Sequence, residues 1–317
     1  MKKDKHIFLD HDGGVDDLLA LLLVLCMEEA NLVGVNVTPA DCYPHSATEA
    51  SRKFLALMGH SDVEVATSKA RGINAFPENW RAQPQVINAL PQLLNLSDEA
   101  GTLSPLEGSQ FIIEKLSKSP QPVSYLMTGP CTTLVHALHQ KPEIRHKIKE
   151  VVWMAGAIHV HGNVRTYSHN GSAEWNIYWD ASSAHRLLSL ELPLIMVPLD
   201  ATNKVPVNLD FLRKLSQLSS YEVANLASLC WAITVNTIPG YDYLYHMWDV
   251  LAAVYVGRPA YFDIKETKIQ ISTRPPNEGE TTENIKSGKV VRLVTDVKRD
   301  AFDEYLMNRL KRNFNNL

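Results

Sequence analysis

The chain has 317 residues, of which 45% are hydrophobic and 21% charged, and its formal net charge is -4 at pH 7. This size and balance suit a globular α/β protein with a sizeable core, and we expect a single domain over residues 1–317. The slight acidity argues against nucleic acid as a partner. The longest apolar run, Leu18 to Met27, is too short to span a bilayer, and the first residues lack a signal-peptide pattern. We therefore expect a cytoplasmic protein with no membrane partner.

Short runs rich in Val, Ile and Leu alternate with longer helical segments. The predicted strands are Lys5–Leu9, Leu32–Val37, Val123–Met127, Glu150–Met154, Leu194–Val197, Thr267–Thr273 and Lys289–Thr295. The predicted helices are Asp16–Glu29, Ser46–Met58, Ser109–Ser117, Cys131–His139, Ala181–Leu190, Leu209–Leu218, Glu222–Ile233, Trp248–Val256 and Asp300–Asn313. This alternation is typical of an α/β fold with a mainly parallel sheet covered by helices on both faces.

Polar or glycine-containing segments follow the first five predicted strands. These segments are Asp10–Asp17, Thr38–Cys42, Thr128–Pro130, Ala155–Gly156 and Asp200–Asn203. In open α/β sheets, ligands bind at the carboxyl ends of the strands. We therefore expect the active site at that edge of the sheet.

The first of these segments carries the carboxylates of Asp10, Asp12, Asp16 and Asp17 on one strand-to-helix turn. Like charges this close raise each other's pKa, and a hard divalent cation such as Ca²⁺ or Mg²⁺ relieves the repulsion. Helix capping would explain Asp16 and Asp17 but not all four acids. A phosphatase with an aspartate nucleophile also begins with a strand ending in Asp-x-Asp, and this enzyme class is an alternative that predicts Mg²⁺.

The segment from Asp10 to Asp17 resembles the signature of the inosine–uridine-preferring nucleoside hydrolase family. Other segments resemble that family in the same order, namely Thr128–Pro130, Trp153–Ala157, Ala173–Asp180 and Trp248–Asp249. The resemblance covers nearly the whole chain, and the aspartate motif and Glu174-Trp175-Asn176 are its most specific parts. It implies a single α/β domain with a mixed, mostly parallel central sheet, which hydrolyses nucleosides and forms a homodimer or homotetramer.

The resemblance also implies a bound Ca²⁺ as cofactor. Its ligands would be Asp12, Asp17, the backbone carbonyl of Thr128 and Asp249, with Asp10 behind them. Asp12 would also be the general base that takes a proton from a Ca²⁺-bound water. Because Ca²⁺ lowers the pKa of water only modestly, a neighbouring carboxylate base is needed.

Further residues match the family's substrate-binding positions. Asp16, Asn163, Glu174 and Asn176 match residues that bind the ribose hydroxyls, and Met154 matches a residue that packs on the sugar. Carboxylate and amide oxygens there would stabilise an oxocarbenium-like transition state. Among these residues and the acids, we expect Asp12 and Asn176 to take part in catalysis.

The residue before Asp249 is Trp248, at a position where the non-specific branch of the family has His. The combination of Trp248 with Trp80 and Trp175 resembles the pattern of the purine-specific branch, in which the base is sandwiched between tryptophans. Indole faces stack well on purines and favour their protonated form. Asp41 matches an acidic position near the base, and we therefore predict hydrolysis of purine ribonucleosides.

Other aromatic and histidine residues are less informative. Core packing is the expected role of Trp153 and Trp179, and His11 is expected to point away from the carboxylates. His159, His161 and His169 precede the Glu174 motif, and the sequence leaves open whether they approach the ligand. The candidates for an acid that protonates the leaving base are Tyr241, Tyr243, Tyr245 and His246.

The phosphatase is one of three alternatives that stay open on the sequence alone. The second is a nucleoside hydrolase of broad or pyrimidine preference. The third is a non-catalytic nucleoside-binding protein, which would be expected to have lost a base or metal ligand, although Asp12, Asp17 and Asp249 are all present.

Overall fold

A computed structural model describes residues 5–97, 99–235 and 244–314. Within these ranges one 10-stranded sheet has the order β4-β3-β2-β1-β5-β6-β7-β10-β8-β9. Its strands are β1 Lys5–His11, β2 Ala30–Val37, β3 Glu64–Thr67, β4 Thr102–Glu107, β5 Val123–Met127, β6 Ile148–Met154, β7 Leu194–Val197, β8 Phe262–Ile271, β9 Thr281–Glu283 and β10 Lys289–Val297. In this order, neighbouring strands from β4 to β10 pair in parallel, whereas β8 pairs antiparallel with both β10 and β9.

Helices cover both faces of this sheet. The α-helices are α1 Val15–Leu25, α2 Pro44–Leu57, α3 Gln83–Asn88, α4 Pro91–Leu94, α5 Gly108–Lys118, α6 Thr132–Gln140, α7 Trp175–Tyr178, α8 Ala181–Leu188, α9 Leu199–Thr202, α10 Leu209–Ser216, α11 Glu222–Val235, α12 Trp248–Gly257 and α13 Arg299–Leu310. Short 3₁₀ helices span Glu78–Trp80, Pro142–Lys147 and Pro259–Tyr261. In the parts of the chain that the structure describes, no helix is both long and apolar enough to cross a membrane. The predicted α/β fold with a mixed, mostly parallel sheet is confirmed.

The central strand β1 shows how the two faces are formed. Successive side chains of a strand point to opposite faces, so Ile7 and Leu9 join one hydrophobic core while Phe8 joins the other. The Phe8 ring lies 5.8 Å from that of Phe111 and stacks 5.1 Å from that of Tyr125. Because β1 is covered on both sides, its central residues Ile7 to Leu9 are apolar, and its polar residues lie towards its two ends.

Three short strands, β3, β4 and β9, were not predicted. Each lacks a run of Val, Ile or Leu, and β4 contains Pro105, which is tolerated because β4 lies at the edge of the sheet. The structure also begins β8 at Phe262, whereas the sequence predicted a start at Thr267. The first part of β8 carries exposed polar residues and is ordered by antiparallel pairing with β10 rather than by burial.

Two helices bring distant parts of the chain to the carboxyl end of β1. Helix α1 follows β1 directly and is buried along its whole length. Helix α12 packs against α1 and is buried from Asp249 to Gly257. The first turns of both helices therefore lie side by side, and each turn carries acidic residues.

Candidate active site

A cleft of about 630 Å³, partly open to solvent, lies beside the carboxyl ends of β1, β5 and β6. The structure places every predicted site residue on its wall, namely Asp12, Asp16, Asp17, Asp41, Trp80, Thr128, Met154, Asn163, Glu174, Trp175, Asn176, Trp248 and Asp249. Phe76, Gln83 and Tyr245 complete the wall. These residues therefore lie together in one cleft, and their individual roles stay predictions.

The floor of the cleft is an acidic cluster formed by the first turns of α1 and α12. Carboxylate oxygens of Asp16, Asp17 and Asp249 lie within 4.8 Å of one another. All three side chains are buried, and burial together with the charge of Asp16 raises the pKa of Asp17 to about 7. Burial and the neighbouring aspartates likewise hold the pKa of Asp249 well above its ordinary value. The folded protein therefore carries costly negative charge at this point.

Hydrogen bonds fix these carboxylates in place. Asp17 accepts hydrogen bonds from the backbone N–H of Gly14 at 2.7 Å and from the hydroxyl of Thr128 at 2.5 Å. Asp16 accepts one from the hydroxyl of Tyr245 at 2.6 Å. These donors are uncharged, so they orient the carboxylates without neutralising them.

Asp12 lies against the same cluster. Burial raises the pKa of Asp12 well above its ordinary value, and the charges of Asp17 and Asp41 raise it further. The backbone N–H of Asp41 donates to Oδ2 of Asp12 at 3.1 Å. Asp12 is thus held between the acidic cluster and the loop after β2.

The donor set fits a hard divalent cation. Buried carboxylates and backbone carbonyls are the ligands that Ca²⁺ and Mg²⁺ prefer, and a cation would relieve the repulsion that raises these pKa values. Asp17 and Asp249 belong both to the compact group of oxygens and to the ligand set implied by the resemblance. Among the carboxylates the two sets differ in one member, since the compact group contains Asp16 and the implied set contains Asp12.

Asp10 lies behind the cleft wall and not on it. It is 1% exposed, and its carboxylate accepts hydrogen bonds from Asn36 at 2.7 Å, Thr38 at 3.0 Å and Tyr125 at 2.7 Å. Burial raises its pKa to about 6 although these donors lower it. An aspartate nucleophile at this first position of Asp-x-Asp has no access to a substrate, which argues against the phosphatase hypothesis.

A second wall is organised around the Glu174-Trp175-Asn176 segment at the start of α7. The carboxylate of Glu174 caps this helix by accepting from the backbone N–H of Asn176 at 2.8 Å and also accepts from Gly156 N–H at 3.0 Å. Burial raises the pKa of Glu174 to about 7. The side-chain amide of Asn176 donates to the carbonyls of Thr128 at 2.8 Å and Met154 at 3.0 Å. Its oxygen must therefore point away from those carbonyls.

Aromatic residues form the remaining wall. The indole of Trp175 is 3% exposed, and the ring of Phe76 stacks on it at 4.8 Å. Trp80, which is only partly buried, meets Trp175 edge to face at 5.8 Å. Trp248 begins α12 and packs on Tyr245 at 4.7 Å. Trp80 and Trp248 thus have ring surface to offer a ligand, whereas the Trp175 faces are largely covered.

Other sequence expectations have mixed outcomes. Trp153 and Trp179 are buried away from the cleft wall, as predicted. The ring of His11 contacts the Ser51 hydroxyl at 3.0 Å and does not line the cleft. His159, His161 and His169 do not line it either.

The candidates for a leaving-group acid are only partly described. The Tyr245 hydroxyl is directed at Asp16, and His246 packs on Trp248 with ring centroids 5.6 Å apart. Burial lowers the pKa of His246. Tyr241 and Tyr243 lie outside the described residues.

Sequence reasoning did not identify two residues of the wall, Phe76 and Gln83. Both lie in the segment around Trp80, which has no regular periodicity. The one available signal was proximity to Trp80 in a stretch rich in Pro and Asn, a composition that marks a loop.

Comparison with known proteins defines the class to which this site belongs. Residues 7–304 match the model of the family described as inosine-uridine preferring nucleoside hydrolase. A structure described as the inosine-uridine preferring nucleoside hydrolase from Bacillus anthracis is 36% identical with a TM-score of 0.91, and the match covers 97% of this chain and 99% of that one. The chain therefore belongs to the inosine–uridine preferring nucleoside hydrolase family.

Other relatives differ in the substrate that their names give. Uridine nucleosidase 1 of Arabidopsis thaliana is 24% identical over 277 residues, which is 86% of this chain and 80% of that protein. The purine-preferring ribonucleoside hydrolase from Gardnerella vaginalis shares the fold, with a TM-score of 0.80, 23% identity, and coverage of 97% of this chain and 98% of that one. The family model and the structure from Bacillus anthracis support nucleoside hydrolase activity, and the names of these further relatives do not agree on a purine or a pyrimidine substrate.

Proposed function

We propose that this cleft hydrolyses the N-glycosidic bond of purine ribonucleosides and releases ribose and free base. One observation carries the proposal: a cluster of buried carboxylates held by uncharged donors lies in the same cleft as partly exposed indoles. The carboxylates suit a polyhydroxylated sugar that develops positive charge, and the indoles suit a flat aromatic base.

The residues that would hold the cation are Asp12, Asp17, Asp249 and the carbonyl of Thr128. Ca²⁺, when bound there, would neutralise the acidic cluster and orient both the attacking water and the ribose hydroxyls. Asp12 is proposed as the general base, which accepts the proton of the attacking water on its carboxylate. The N–H of Asp41 holds Oδ2 of Asp12 at 3.1 Å and thereby sets the direction of that proton transfer.

The wall around α7 is proposed to bind the ribose. Its polar groups are the carboxylates of Asp16 and Glu174 and the amides of Asn163 and Asn176, and Met154 supplies an apolar contact for the sugar. Because the amide hydrogens of Asn176 are used on backbone carbonyls, its oxygen is the atom available to a developing oxocarbenium charge. This orientation supports the proposed part of Asn176 in catalysis.

The base is proposed to lie against Trp80 and Trp248, near the carboxylate of Asp41. Stacking on indoles favours the larger purine ring system and stabilises it further when it is protonated. Asp41 has a buried Oδ1 atom that accepts no hydrogen bond from the described protein, and this atom suits an N–H of the base. Burial and the charges of Asp17 and Asp16 raise the pKa of Asp41.

A nucleoside hydrolase of broad or pyrimidine preference is the second candidate. The names of the relatives favour it, since both inosine–uridine preference and uridine hydrolysis occur among them. A pyrimidine also stacks on an indole, although with less contact area. A protein that only binds nucleosides is the third candidate, and an activity measurement separates it from the other two.

The test is a base-release assay with purified protein on inosine, adenosine, guanosine, uridine and cytidine, with Ca²⁺ or after treatment with EDTA. The proposal expects release of purine bases, loss of activity once the cation is stripped, and recovery when Ca²⁺ is added. Trp80→Ala should reduce purine hydrolysis more than Trp80→Phe, which keeps an aromatic face. Equal hydrolysis of uridine would reject the purine preference, and no release from any nucleoside would reject the reaction.

The expected assembly and location are also proposals. The resemblance favours a homodimer or homotetramer in the cytoplasm, with a nucleoside as the partner. Light scattering coupled to size-exclusion chromatography measures the mass of the assembly, and a single 35.5 kDa species would contradict the expected oligomer.

A further inference from the structure

Gln83 occupies a position between the acidic cluster and the aromatic wall. It is the first residue of α3, lines the cleft, and is 8% exposed. Its side-chain oxygen accepts a hydrogen bond from the backbone N–H of Val15 at 3.0 Å, at the first position of α1. This N–H has no partner within its own helix, so Gln83 satisfies one of the donors that a helix start leaves open.

This hydrogen bond determines which way the amide faces. A backbone N–H can only donate, so the atom opposite Val15 must be the carbonyl oxygen of Gln83 and not its nitrogen. The NH₂ group then diverges from the oxygen within the amide plane. Since the side chain forms part of the cleft wall, we propose that this NH₂ group donates a hydrogen bond to the base of the substrate, and that it selects bases that have a carbonyl where adenine and cytosine have their amino group.

The position of Gln83 in the chain supports contact with the base rather than the sugar. It follows Trp80 by three residues, within the segment that carries the aromatic wall. The carboxylates of the cleft are acceptors, which suit the hydroxyl donors of ribose. A fixed NH₂ donor has the opposite preference and suits the carbonyl that hypoxanthine, guanine and uracil have where adenine and cytosine have an amino group.

The expected selectivity follows from this chemistry and rests on the proposed nucleoside hydrolysis. Inosine and adenosine differ along one edge of the base, where inosine has a carbonyl beside a ring N–H and adenosine has an amino group beside an unprotonated ring nitrogen. Two donors facing each other cannot form a hydrogen bond, and each loses water where they meet. The structure therefore favours inosine and guanosine over adenosine, and uridine over cytidine.

Asn163 offers a matched control because its amide is fixed in the same way. Its side-chain oxygen accepts from the backbone N–H of Trp175 at 3.0 Å, next to Glu174 and Asn176. Its NH₂ group thus belongs to the wall proposed for ribose. Ribose is common to all the nucleosides, so a change at Asn163 should affect every base equally.

The test compares Gln83→Glu with Asn163→Asp. Each substitution keeps an oxygen that can accept the backbone N–H, replaces the NH₂ group by a second oxygen and adds one negative charge, so the two variants are matched in charge. For Gln83→Glu we expect kcat/KM for inosine relative to adenosine to fall by about tenfold, the value of one hydrogen bond between uncharged groups. The ratio of uridine to cytidine should fall in parallel, provided that the wild-type protein hydrolyses both. For Asn163→Asp both ratios should stay as in the wild-type protein.

The outcomes separate this inference from the proposed function. Hydrolysis by the wild-type protein tests the function, whereas only the ratio between bases tests Gln83. An unchanged ratio in Gln83→Glu, or an equal loss on every nucleoside, overturns the inference and leaves Gln83 with a structural role. Gln83→Met, which removes both polar atoms and adds no charge, should lower the ratio of inosine to adenosine in the same direction. An unchanged ratio in Gln83→Met likewise overturns the inference.

Discussion

The acidic cluster predicts that stability of the cation-free protein falls as the pH rises. The pKa of Asp17 is raised from 3.8 to about 7 by burial and by the charge of Asp16. The folded state thus holds a proton that the unfolded state releases, so stability is highest below pH 4 for this group and declines until about pH 7. At about 1.4 kcal/mol for each tenfold change in proton affinity, Asp17 alone costs about 4 kcal/mol above pH 7.

A bound cation should remove that cost. Because Ca²⁺ and protons compete for the same carboxylates, stabilisation by Ca²⁺ should be small at pH 5 and largest above pH 7. For a chain of this length, about 4 kcal/mol corresponds to a change in the thermal midpoint of about 6 °C. The measurement is thermal unfolding with EDTA and with saturating Ca²⁺ between pH 5 and pH 8.

Asp17→Asn provides the control for this measurement. It removes the charge and keeps one oxygen, which can still accept from Gly14 N–H, while the new NH₂ group can donate to the Thr128 hydroxyl. In EDTA its thermal midpoint should vary less with pH than that of the wild-type protein, and Ca²⁺ should stabilise it less. A difference between the Ca²⁺ and EDTA midpoints that is the same at pH 5 and pH 8 would refute the reasoning.

Three further substitutions test other parts of the site. Asp12→Asn should lower kcat by several orders of magnitude at an unchanged fold, because the proposed base is lost; near-normal turnover would contradict that role. Tyr245→Phe removes the 2.6 Å hydrogen bond to Asp16 and should lower kcat/KM about tenfold, while a variant with wild-type kinetics would show that Asp16 is positioned without it. Asp10→Asn should cost about 1–3 kcal/mol in unfolding free energy, measured by urea denaturation, because Asn36, Thr38 and Tyr125 all donate to this carboxylate; a neutral result would mean that the network tolerates an amide.

The central strands could be predicted because burial on both faces favours short runs of mainly apolar residues. Val123–Met127 and Leu194–Val197 agree with the observed strands at both ends. The edge strand β4 and the short strand β3 could not be predicted, since their order comes from pairing with neighbours that are distant in sequence. Local sequence carries little of that information.

The candidate site also contains some residues that could be predicted from the sequence and others that could not. The acids of α1 were visible as an unusual cluster in the sequence, and their meeting with Asp249 followed only from the family resemblance. Gln83 and Phe76 have no signal beyond their proximity to Trp80, because their positions depend on how the segment after β3 folds back over the cleft. The covering of the Trp175 ring could not be predicted from the sequence either, since it results from the stacking of Phe76.

The hydrogen bonds from Tyr245 and from the Asp249 N–H to Asp16 join residues 229 and 233 positions apart in the chain. A ribosome that has synthesised the first two hundred residues has therefore produced most of the parallel sheet but not the groups that complete the cluster around Asp16. Closing so long a loop is entropically expensive and is a late event in folding. Cation affinity should consequently appear only near the end of synthesis, so that an incomplete chain neither retains the metal nor hydrolyses nucleosides.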